Sequence, residues 1–472
     1  MNSTQKKQTS SSTTTTATAT NKCDSTFKTF IFISLSALLL RFVLFYQGFH
    51  FHFSNRNEIT TPLTNFKRLT EGLHLWDLGL SPYSGSAYHQ SPLVLLLFYP
   101  FHSNNLSTSL TGLPPQVVFL VVDILIAYLL REITKLIPQV LPKEMKPLEP
   151  NSNLPNITAA LYLFNPFSIF TCIGMSTIVI NNAAIILSLY YSLKGNLFQS
   201  VFFVALSSYF SIYPIILLFP VSFILKRHYF PEQTLNTATR QQLSPQQQSH
   251  LEKQLQHSQT TMSILFYSRI VLFYLLSFSS LIYLSYTLLG SWEFLSKTYG
   301  FTLFVEDLTP NIGLFWYYFI EVFDHFRNFF LFIFQYHVFI YCIPLAIRLK
   351  NHPLFYFWAL CAIIATFKSY PALGDTALHV SLLPLLNEPL KGVRYSFIVI
   401  VVAIYVTVLA PILWQMWIYQ GTGNANFYYT INLVFTLAQV LLIVDSLSVL
   451  LKLDYVNKIN HLEENQEKKK IE

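Results

Sequence analysis

Residues 395–419 read YSFIVIVVAIYVTVLAPILWQMWIY, a stretch of 25 residues without a charged side chain. A helix needs about 20 mostly apolar residues to cross the hydrocarbon core of a membrane, where no water pairs with the backbone amides. The Trp and Tyr residues at the end of the stretch are typical of the lipid headgroup level. The stretch therefore predicts a membrane-spanning helix.

Similar apolar stretches recur along almost the whole chain. Several of them are short, which requires helices that are broken or buried by their neighbours. We expect an all-α, polytopic transmembrane helix bundle of about 12 spans. The expected spans are residues 27–49, 115–131, 157–173, 176–193, 197–212, 213–226, 263–289, 327–349, 353–368, 371–389, 395–419 and 428–452.

The composition favours a membrane protein over other classes. Of 472 residues, 52% are hydrophobic and only 11% are charged, whereas soluble domains usually carry about 25% charged residues. The net charge of +7 arises from short basic clusters between apolar stretches, which indicates membrane orientation rather than nucleic-acid binding. We expect a disordered cytosolic tail at 1–26, one multi-pass membrane domain at 27–452 and a charged cytosolic tail at 453–472.

The distribution of Lys and Arg predicts which segments lie on the same side of the membrane. These residues accumulate on alternate loops, together with both termini and a polar insertion at 228–262, so all of these are expected to be cytosolic. Residues 50–114, 291–326 and 420–427 are then luminal. Asn105 begins a glycosylation sequon in the first luminal segment.

The first luminal segment has the layout of polytopic glycosyltransferases that use lipid-linked sugar donors. Such enzymes need a carboxylate as general base, but the pair of Asp residues expected just after the first helix is missing. Glu58, Glu71 and Asp77 are the candidate carboxylates in this segment. The segment is more typical of a solvated loop at the membrane surface than of a catalytic loop.

An aromatic segment at 309–327 is a second candidate for function. On a single helix, Phe315, Phe319, Val322 and Phe326 share one face. The Trp and Tyr residues of the segment suit the headgroup level. We expect an amphipathic interfacial helix that continues into a span.

Glu321 and His325 lie four residues apart in that segment and form a candidate metal pair. Their order differs from the His-Glu-x-x-His zinc motif, and no third ligand is evident. An ion pair with Arg327 or hydrogen bonds to a polar lipid head are the favoured roles, so no metal site is predicted.

Polar side chains inside apolar stretches are costly and usually face a bundle interior or a polar cavity. We expect Asn165 to bond with Asn181 and Asn182 across helix ends, and Lys368 either to pair with Asp375 or to bind a phosphate. The full set is Arg41, Asp123, Asn165, Asn181, Asn182, His337, Lys368, Asp375, His379 and Asp445.

A turn after residue 419 carries two amide side chains. Gly421 and Gly423 permit a tight turn with close backbone approach to a ligand. Asn424 and Asn426 offer donors and acceptors for sugar hydroxyls or phosphate oxygens. Helix capping by Asn is nearly as well supported by the sequence.

Several motifs together closely resemble the PIG-U family, over nearly all of the membrane domain. The 411–429 stretch belongs to this resemblance, and the nine residues at 309–317 are its most specific part. The other motifs and their positions are Ser-Pro-Tyr-Ser-Gly at 81–85, Phe-Asn-Pro-Phe-Ser-Ile at 164–169, Ile-Asn-Asn at 180–182, Ile-Pro-Leu-Ala-Ile-Arg-Leu at 343–349 and Phe-Lys-Ser-Tyr-Pro at 367–371.

The resemblance implies a subunit of the glycosylphosphatidylinositol (GPI) transamidase in the endoplasmic reticulum membrane, whose catalytic cysteine protease is another subunit. It implies a non-catalytic role in which the chain binds and positions the GPI glycolipid and the hydrophobic C-terminal signal of the proprotein. It also implies a fold akin to the GT-C-type mannosyltransferases. The expected partners are therefore the other transamidase subunits, GPI, the signal and membrane lipids, without nucleic acid.

We predict a lipid and glycan site and no catalytic residue, metal or cofactor. One alternative is a GT-C-type mannosyltransferase that uses dolichol-phosphate mannose in GPI biosynthesis. Another is a small-solute transporter, which predicts internal repeats that are not evident. The residues expected to contact the glycolipid are Asn424, Asn426, Lys368, His325, Trp316, Tyr317 and Phe319.

Overall fold

A computed structural model describes residues 11–101, 114–141, 152–230, 245–386 and 390–471. All regular elements within these ranges are helices, which confirms the predicted all-α class. Asn105 and its sequon lie outside the described residues, as do residues 231–244 of the 228–262 insertion, whereas the rest of the insertion from Pro245 onward is helical.

The α-helices are numbered here in chain order. The first ten are α1 Ser11–Tyr46, α2 Phe49–Phe53, α3 Phe66–Asp77, α4 Pro92–Phe98, α5 Gln116–Val140, α6 Leu154–Leu163, α7 Pro166–Ile173, α8 Ile178–Leu193, α9 Leu197–Phe210 and α10 Leu218–Tyr229. The remainder are α11 Pro245–Leu289, α12 Phe301–Phe304, α13 Phe315–Glu321, α14 Asp324–Ile340, α15 Cys342–Arg348, α16 Pro353–Phe367, α17 Leu373–Leu382, α18 Ser396–Trp414 and α19 Ala425–Ile471.

Five helical segments in the described part of the chain are long and apolar enough to cross a membrane. Each overlaps one of the expected spans, and the first lies within α1, which already begins at Ser11 in the predicted tail. The five are Thr26–Tyr46, Thr261–Leu289, Asp324–Arg348, Ser396–Tyr419 and Ala425–Asn460.

The predicted count of about 12 spans is not confirmed, because the other apolar helices are short, broken or interrupted by charge. Helix α16 has 15 residues, and every side chain from Pro353 to Thr366 is buried. At 1.5 Å per residue such a helix is about 22 Å long, shorter than the hydrocarbon core of about 30 Å. It packs against α10, α14, α17 and α19, so protein surrounds it instead of lipid.

A sixth span forms if α6 and α7 are taken together, although they are bent by 49°. Pro166 starts α7, and the Asn165 side chain accepts a hydrogen bond from Phe167 N at 3.0 Å. Asn165 is thus a helix cap and does not bond with Asn181 or Asn182, contrary to the prediction. The bend arises because Pro cannot donate the amide proton that a continuous helix needs.

The aromatic segment after residue 309 is two helices and not the predicted single one. Helix α13 ends at Glu321, and Val322 and Phe323 are extended, with ψ angles of 138° and 140°. Asp324 then lies in the first turn of α14, where a negative charge suits the helix dipole. The expected face shared by Phe315 and Phe326 therefore does not exist.

Candidate functional site

An aromatic and amide surface forms where α13 meets the turn between α18 and α19. We call it the rim and define it by Trp316, Tyr317, Trp417, Asn426 and Tyr429. The Tyr317 ring stacks on the Tyr429 ring with centroids 4.4 Å apart, and the Tyr317 hydroxyl donates to Asn426 Oδ1. The Trp316 ring stacks on Trp417 at 6.1 Å. Two segments about 100 residues apart in sequence thus form one surface.

Hydrogen bonds from α19 side chains to backbone carbonyl groups just before α13 hold the two helices together at the rim. The Asn432 side chain donates from Nδ2 to the carbonyl oxygen of Asn311 at 2.6 Å. The Tyr429 hydroxyl donates to the carbonyl oxygen of Leu314 at 3.3 Å. Both acceptors precede α13 directly, so its position relative to α19 is fixed.

Two buried polar atoms at and below the rim, Trp316 Nε1 and Arg56 Nη2, have no hydrogen-bond partner among the described residues. The Tyr428 hydroxyl and the Glu58 carboxylate lie close enough to hydrogen-bond with each other. Arg56 and Glu58 form an ion pair at 3.4 Å and lie beside Tyr428. Unpaired buried polar groups are uncommon in folded proteins, so these two donors are candidates for contact with a bound polar group.

Asn424 and Asn426, the two amides predicted to contact the glycolipid, have different roles in the structure. Asn424 Oδ1 accepts from the Phe427 backbone amide at 3.2 Å and so caps the start of α19, the alternative that the sequence left open. Asn426 is exposed and pairs with Tyr317. Both side chains lie at the outer end of the α18–α19 turn.

Phe319 and His325 lie outside the rim. Phe319 packs with Phe315 and Phe334 in a neighbouring cluster, and the Arg327 guanidinium lies 5.8 Å from the Phe319 ring centroid. His325 is exposed at the start of α14. Because α13 and α14 are separate helices, Glu321 and His325 do not share the helical face assumed for a metal pair. Within the described ranges no group of three His, Cys, Asp or Glu residues is arranged to hold a metal ion.

Lys368 also lies apart from the rim and is buried. Its Nζ is 2.7 Å from Asp375 Oδ1, which confirms the pairing predicted for these residues. Asp375 Oδ2 also accepts the Ala372 backbone amide at 2.9 Å. The pair therefore closes the turn between α16 and α17.

Lys368 faces a cavity of about 50 Å³ that the sequence analysis did not predict. The first loop, the start of α8, the end of α9 and residues 298–302 and 368–370 surround it. We call it the polar cavity. Its polar lining residues are Thr64, His89, Gln90, Ser91, Thr177, Asn181, Ser211, Tyr213, Thr298, Thr302, Lys368 and Ser369.

The three candidate carboxylates of the first luminal segment do not form one site. Glu58 is buried and paired with Arg56, whereas Glu71 and Asp77 are exposed on α3. A different acidic residue, Asp307, forms an ion pair with the first luminal segment: its Oδ2 lies 3.0 Å from Arg68 Nη2. Burial raises the pKa of Asp307, but hydrogen bonds from Thr309 and the charge of Arg68 outweigh this and lower it. This pair joins α3 to the loop before α13.

The sequence analysis missed some residues of the rim and of the polar cavity. Tyr429 and Trp417 belong to the rim and Tyr428 lies buried beneath it, and the Trp and Tyr residues of 411–429 were the signal that pointed to all three. His89 faces the polar cavity and was not singled out from the sequence, whereas Asn181, which also faces it, was among the polar side chains expected to face a bundle interior or a polar cavity.

The fold and the rim define a polytopic membrane protein with an aromatic, amide-bearing surface at one end of two long apolar helices. A sequence model of the family described as "GPI transamidase subunit PIG-U" matches residues 35–435. The chain belongs to this family, as its motifs predicted.

Curated relatives agree with this assignment. The chain is 36% identical over 444 residues to the GPI-anchor transamidase component PIGU of Homo sapiens, covering 90% of this chain and 94% of that protein. It is 32% identical over 405 residues to the GPI transamidase component GAB1 of Saccharomyces cerevisiae, covering 85% and 89%. A more distant match is GPI mannosyltransferase 1 of Dictyostelium discoideum, 27% identical over 243 residues, covering 51% and 48%.

Proposed function

We propose that this chain is a non-catalytic subunit of a GPI transamidase that binds the GPI glycolipid at the rim and positions it for attachment to proteins. The assembly and the reaction in this proposal are taken from the names of the chain's relatives. The observation that carries the binding role is the meeting of Trp316 and Tyr317 with Asn426 and Tyr429 in one surface.

The chemistry of the rim suits a glycolipid. Aromatic rings with polar edges are favoured at the headgroup level, where one side is apolar and the other is wet. Exposed amides pair with sugar hydroxyls or phosphate oxygens. Helix α18 leads away from the rim with Val406 and Ala410 as its only buried side chains, so a long apolar surface is available to acyl chains.

The unpaired atoms below the rim support the same role. Trp316 Nε1 and Arg56 Nη2 are both donors without a partner among the described residues. A polar head that enters the rim would supply the missing partners after a small side-chain rearrangement. Leaving such groups unpaired costs about 1–3 kcal/mol each.

We place the protein in the endoplasmic reticulum membrane with the rim luminal and both termini cytosolic, following the distribution of Lys and Arg. Its partners are then the other transamidase subunits, including the cysteine protease that performs the chemistry, and the C-terminal signal of the proprotein. Glu58, Glu71 and Asp77 do not form the acid centre that a mannosyltransferase role requires.

The joint substitution Asn424→Ala and Asn426→Ala tests this function. We expect surface display of a GPI-anchored reporter to fall by at least about threefold, because hydrogen bonds to the lipid head are lost. Co-purification of the other subunits should remain unchanged. Flow cytometry and affinity purification from cells that lack the native chain measure the two quantities.

A matched control is Asn196→Ala, which removes an exposed amide in the loop between α8 and α9 that pairs with Gln199. This variant should display the reporter normally. Normal display by the Asn424 and Asn426 variant would contradict the proposed function, and so would an equal loss in the Asn196 variant.

A further inference from the structure

Basic side chains gather at the end of the bundle that lies opposite the rim. Helix α13 of the rim is followed directly by the span Asp324–Arg348, whose 25 residues extend over about 37 Å. Arg348 is the last residue of that span, and α10 ends with Lys226 and Arg227 in its last turn. We define the basic patch as Lys226, Arg227, Arg348 and Lys350.

Two side-chain contacts hold the patch together. The Arg227 guanidinium donates from Nη2 to the carbonyl oxygen of Asn351, in the turn between α15 and α16. In the same turn, His352 Nε2 lies 2.8 Å from Asp454 Oδ1 of α19. The turn is therefore attached to both α10 and α19, which places Lys350 beside the end of α10.

Three of the four cations are not neutralised by a carboxylate among the described residues. Lys226, Arg348 and Lys350 form no ion pair there. The Lys226 ammonium lies 5.6 Å from the Tyr267 ring centroid, a cation–π contact that leaves its charge in place. The acidic side chain that contacts the turn is Asp454, and the histidine already binds it. The patch therefore keeps a positive charge that attracts anions.

Outward-facing apolar side chains lead up to the patch. Ile343 and Ile347 lie one turn apart on α15, directly before Arg348, and are 64% and 73% exposed. Phe219 is also exposed, two turns before Lys226 on α10. Lys and Arg at the ends of apolar helices lie at the headgroup level. An anionic lipid would contact both the cations and the apolar surface, whereas an acidic protein segment outside the membrane would contact the cations alone.

We propose that the basic patch binds the phosphate-bearing head of an anionic phospholipid in the leaflet opposite the rim. Arg348 and Lys350 contact the head, and the acyl chains lie along Ile343 and Ile347. Basic groups between helices at the membrane surface suit anionic lipid heads. The site does not rest on the proposed function, because it lies at the other end of the span that begins beside the rim.

Native mass spectrometry of the full complex measures this binding. The complex is purified in a neutral detergent and titrated with phosphatidylserine or with phosphatidylcholine of the same acyl chains, at an ionic strength of about 0.15 M. Phosphatidylserine carries neither inositol nor sugar, so it does not match the glycolipid proposed for the rim. We expect phosphatidylserine to bind at least about tenfold more tightly than phosphatidylcholine, whose head has no net charge.

The test variant combines Arg348→Gln with Lys350→Gln, and its control combines Lys28→Gln with Lys135→Gln. Both remove two positive charges from the side predicted to be cytosolic, but the control cations lie on α1 and α5, outside the patch. We expect the test variant to bind phosphatidylserine about tenfold more weakly or worse, and the control to stay within about twofold of wild type. The thermal midpoint of the test variant should be unchanged, because neither cation has a partner among the described residues.

An equal loss in both double variants would overturn the proposal, and so would equal binding of the two lipids by wild type. Loss of another subunit from the test variant, with phosphatidylserine binding intact, would also overturn it, because the patch would then be a protein contact. The Asn424 and Asn426 variant should bind phosphatidylserine like wild type, which separates failure of this inference from failure of the rim proposal.

Discussion

The Arg41 guanidinium of α1 is fully buried and hydrogen-bonds to two other helices, α5 and α6. Its Nε donates to Asp123 Oδ2 at 2.9 Å, and its Nη1 donates to the Leu163 carbonyl oxygen at 2.9 Å. The Tyr162 hydroxyl donates to Asp123 Oδ1 at 2.8 Å. Leu163 ends α6, where carbonyl groups lack helical partners, so this cluster stabilises the bend between α6 and α7.

Asp123→Ala is expected to destabilise the protein strongly. It leaves the Arg41 charge buried without its carboxylate, which costs about 3–5 kcal/mol of unfolding free energy. Joint replacement Arg41→Met and Asp123→Leu should cost less, since no charge then remains buried. The measurement is the thermal midpoint of the detergent-purified protein, followed by fluorescence-detected size exclusion.

Lys135→Ala provides the control for this pair. Lys135 contacts Glu132 at 2.7 Å on the same helix but is more exposed, and such surface pairs contribute about 0–1 kcal/mol. A loss of stability in Asp123→Ala no larger than that in Lys135→Ala would refute the role assigned to the cluster.

The sequence predicted some of these polar contacts and missed others for a clear reason. Lys368 and Asp375 are seven residues apart around a short turn, so their pairing follows from local geometry. Arg41 and Asp123 were recognised as costly buried groups, but their contact joins residues 82 apart in sequence. Only the packing of α1 against α5 brings them together.

At the scale of helices, Gly374 sets the distance at which α17 packs against α7 and α8. A Cβ atom placed there would lie 2.4 Å from Ile178 Cγ2 and 2.9 Å from Thr171 Cγ2. Both contacts are far closer than packed carbon atoms tolerate. The glycine therefore permits a close approach, and the same residue accepts the hydrogen bond from Asn182.

Gly374→Ala is expected to lower the free energy of unfolding by about 1–3 kcal/mol, because overpacking forces the helices apart. Adding Ile178→Ala, which removes the clashing methyl group, should recover part of the loss. Thermal midpoints of the single and double variants measure both effects.

Gly300→Ala is the comparison variant, since the nearest atom to its added Cβ would be 3.8 Å away. It should leave the midpoint close to that of the wild type. If Gly374→Ala behaves like Gly300→Ala, α17 is not closely packed at this position.

Helix boundaries were predictable where hydropathy alone decides them. The expected spans 263–289 and 395–419 match Thr261–Leu289 and Ser396–Tyr419 closely. Short buried helices such as α16 are as apolar as true spans, so hydropathy cannot tell whether lipid or protein surrounds them. The break between α13 and α14 was missed because Val322 and Phe323 continue the apolar pattern.

At the scale of the whole molecule, the rim depends on parts that are distant in sequence. Helix α13 follows a loop that the Arg68–Asp307 pair joins to α3, whereas Asn426 and Tyr429 begin α19. The sequence supplied the individual residues, but Phe319, His325 and Lys368 proved to lie elsewhere. The rim residues come together only because α13 packs on the α18–α19 turn, and no local sequence pattern predicts that packing.

Site-specific photo-cross-linking detects a glycolipid bound at the rim. A photoreactive residue replaces Phe427, which is exposed beside Asn426, or Phe397, which is exposed near the other end of α18. Mass spectrometry of the irradiated complex then identifies the attached lipid. If the rim binds the glycolipid, GPI adducts form at position 427 and only bulk phospholipid is attached at position 397. Equal GPI labelling at both positions, or no GPI labelling at position 427, would refute binding at the rim.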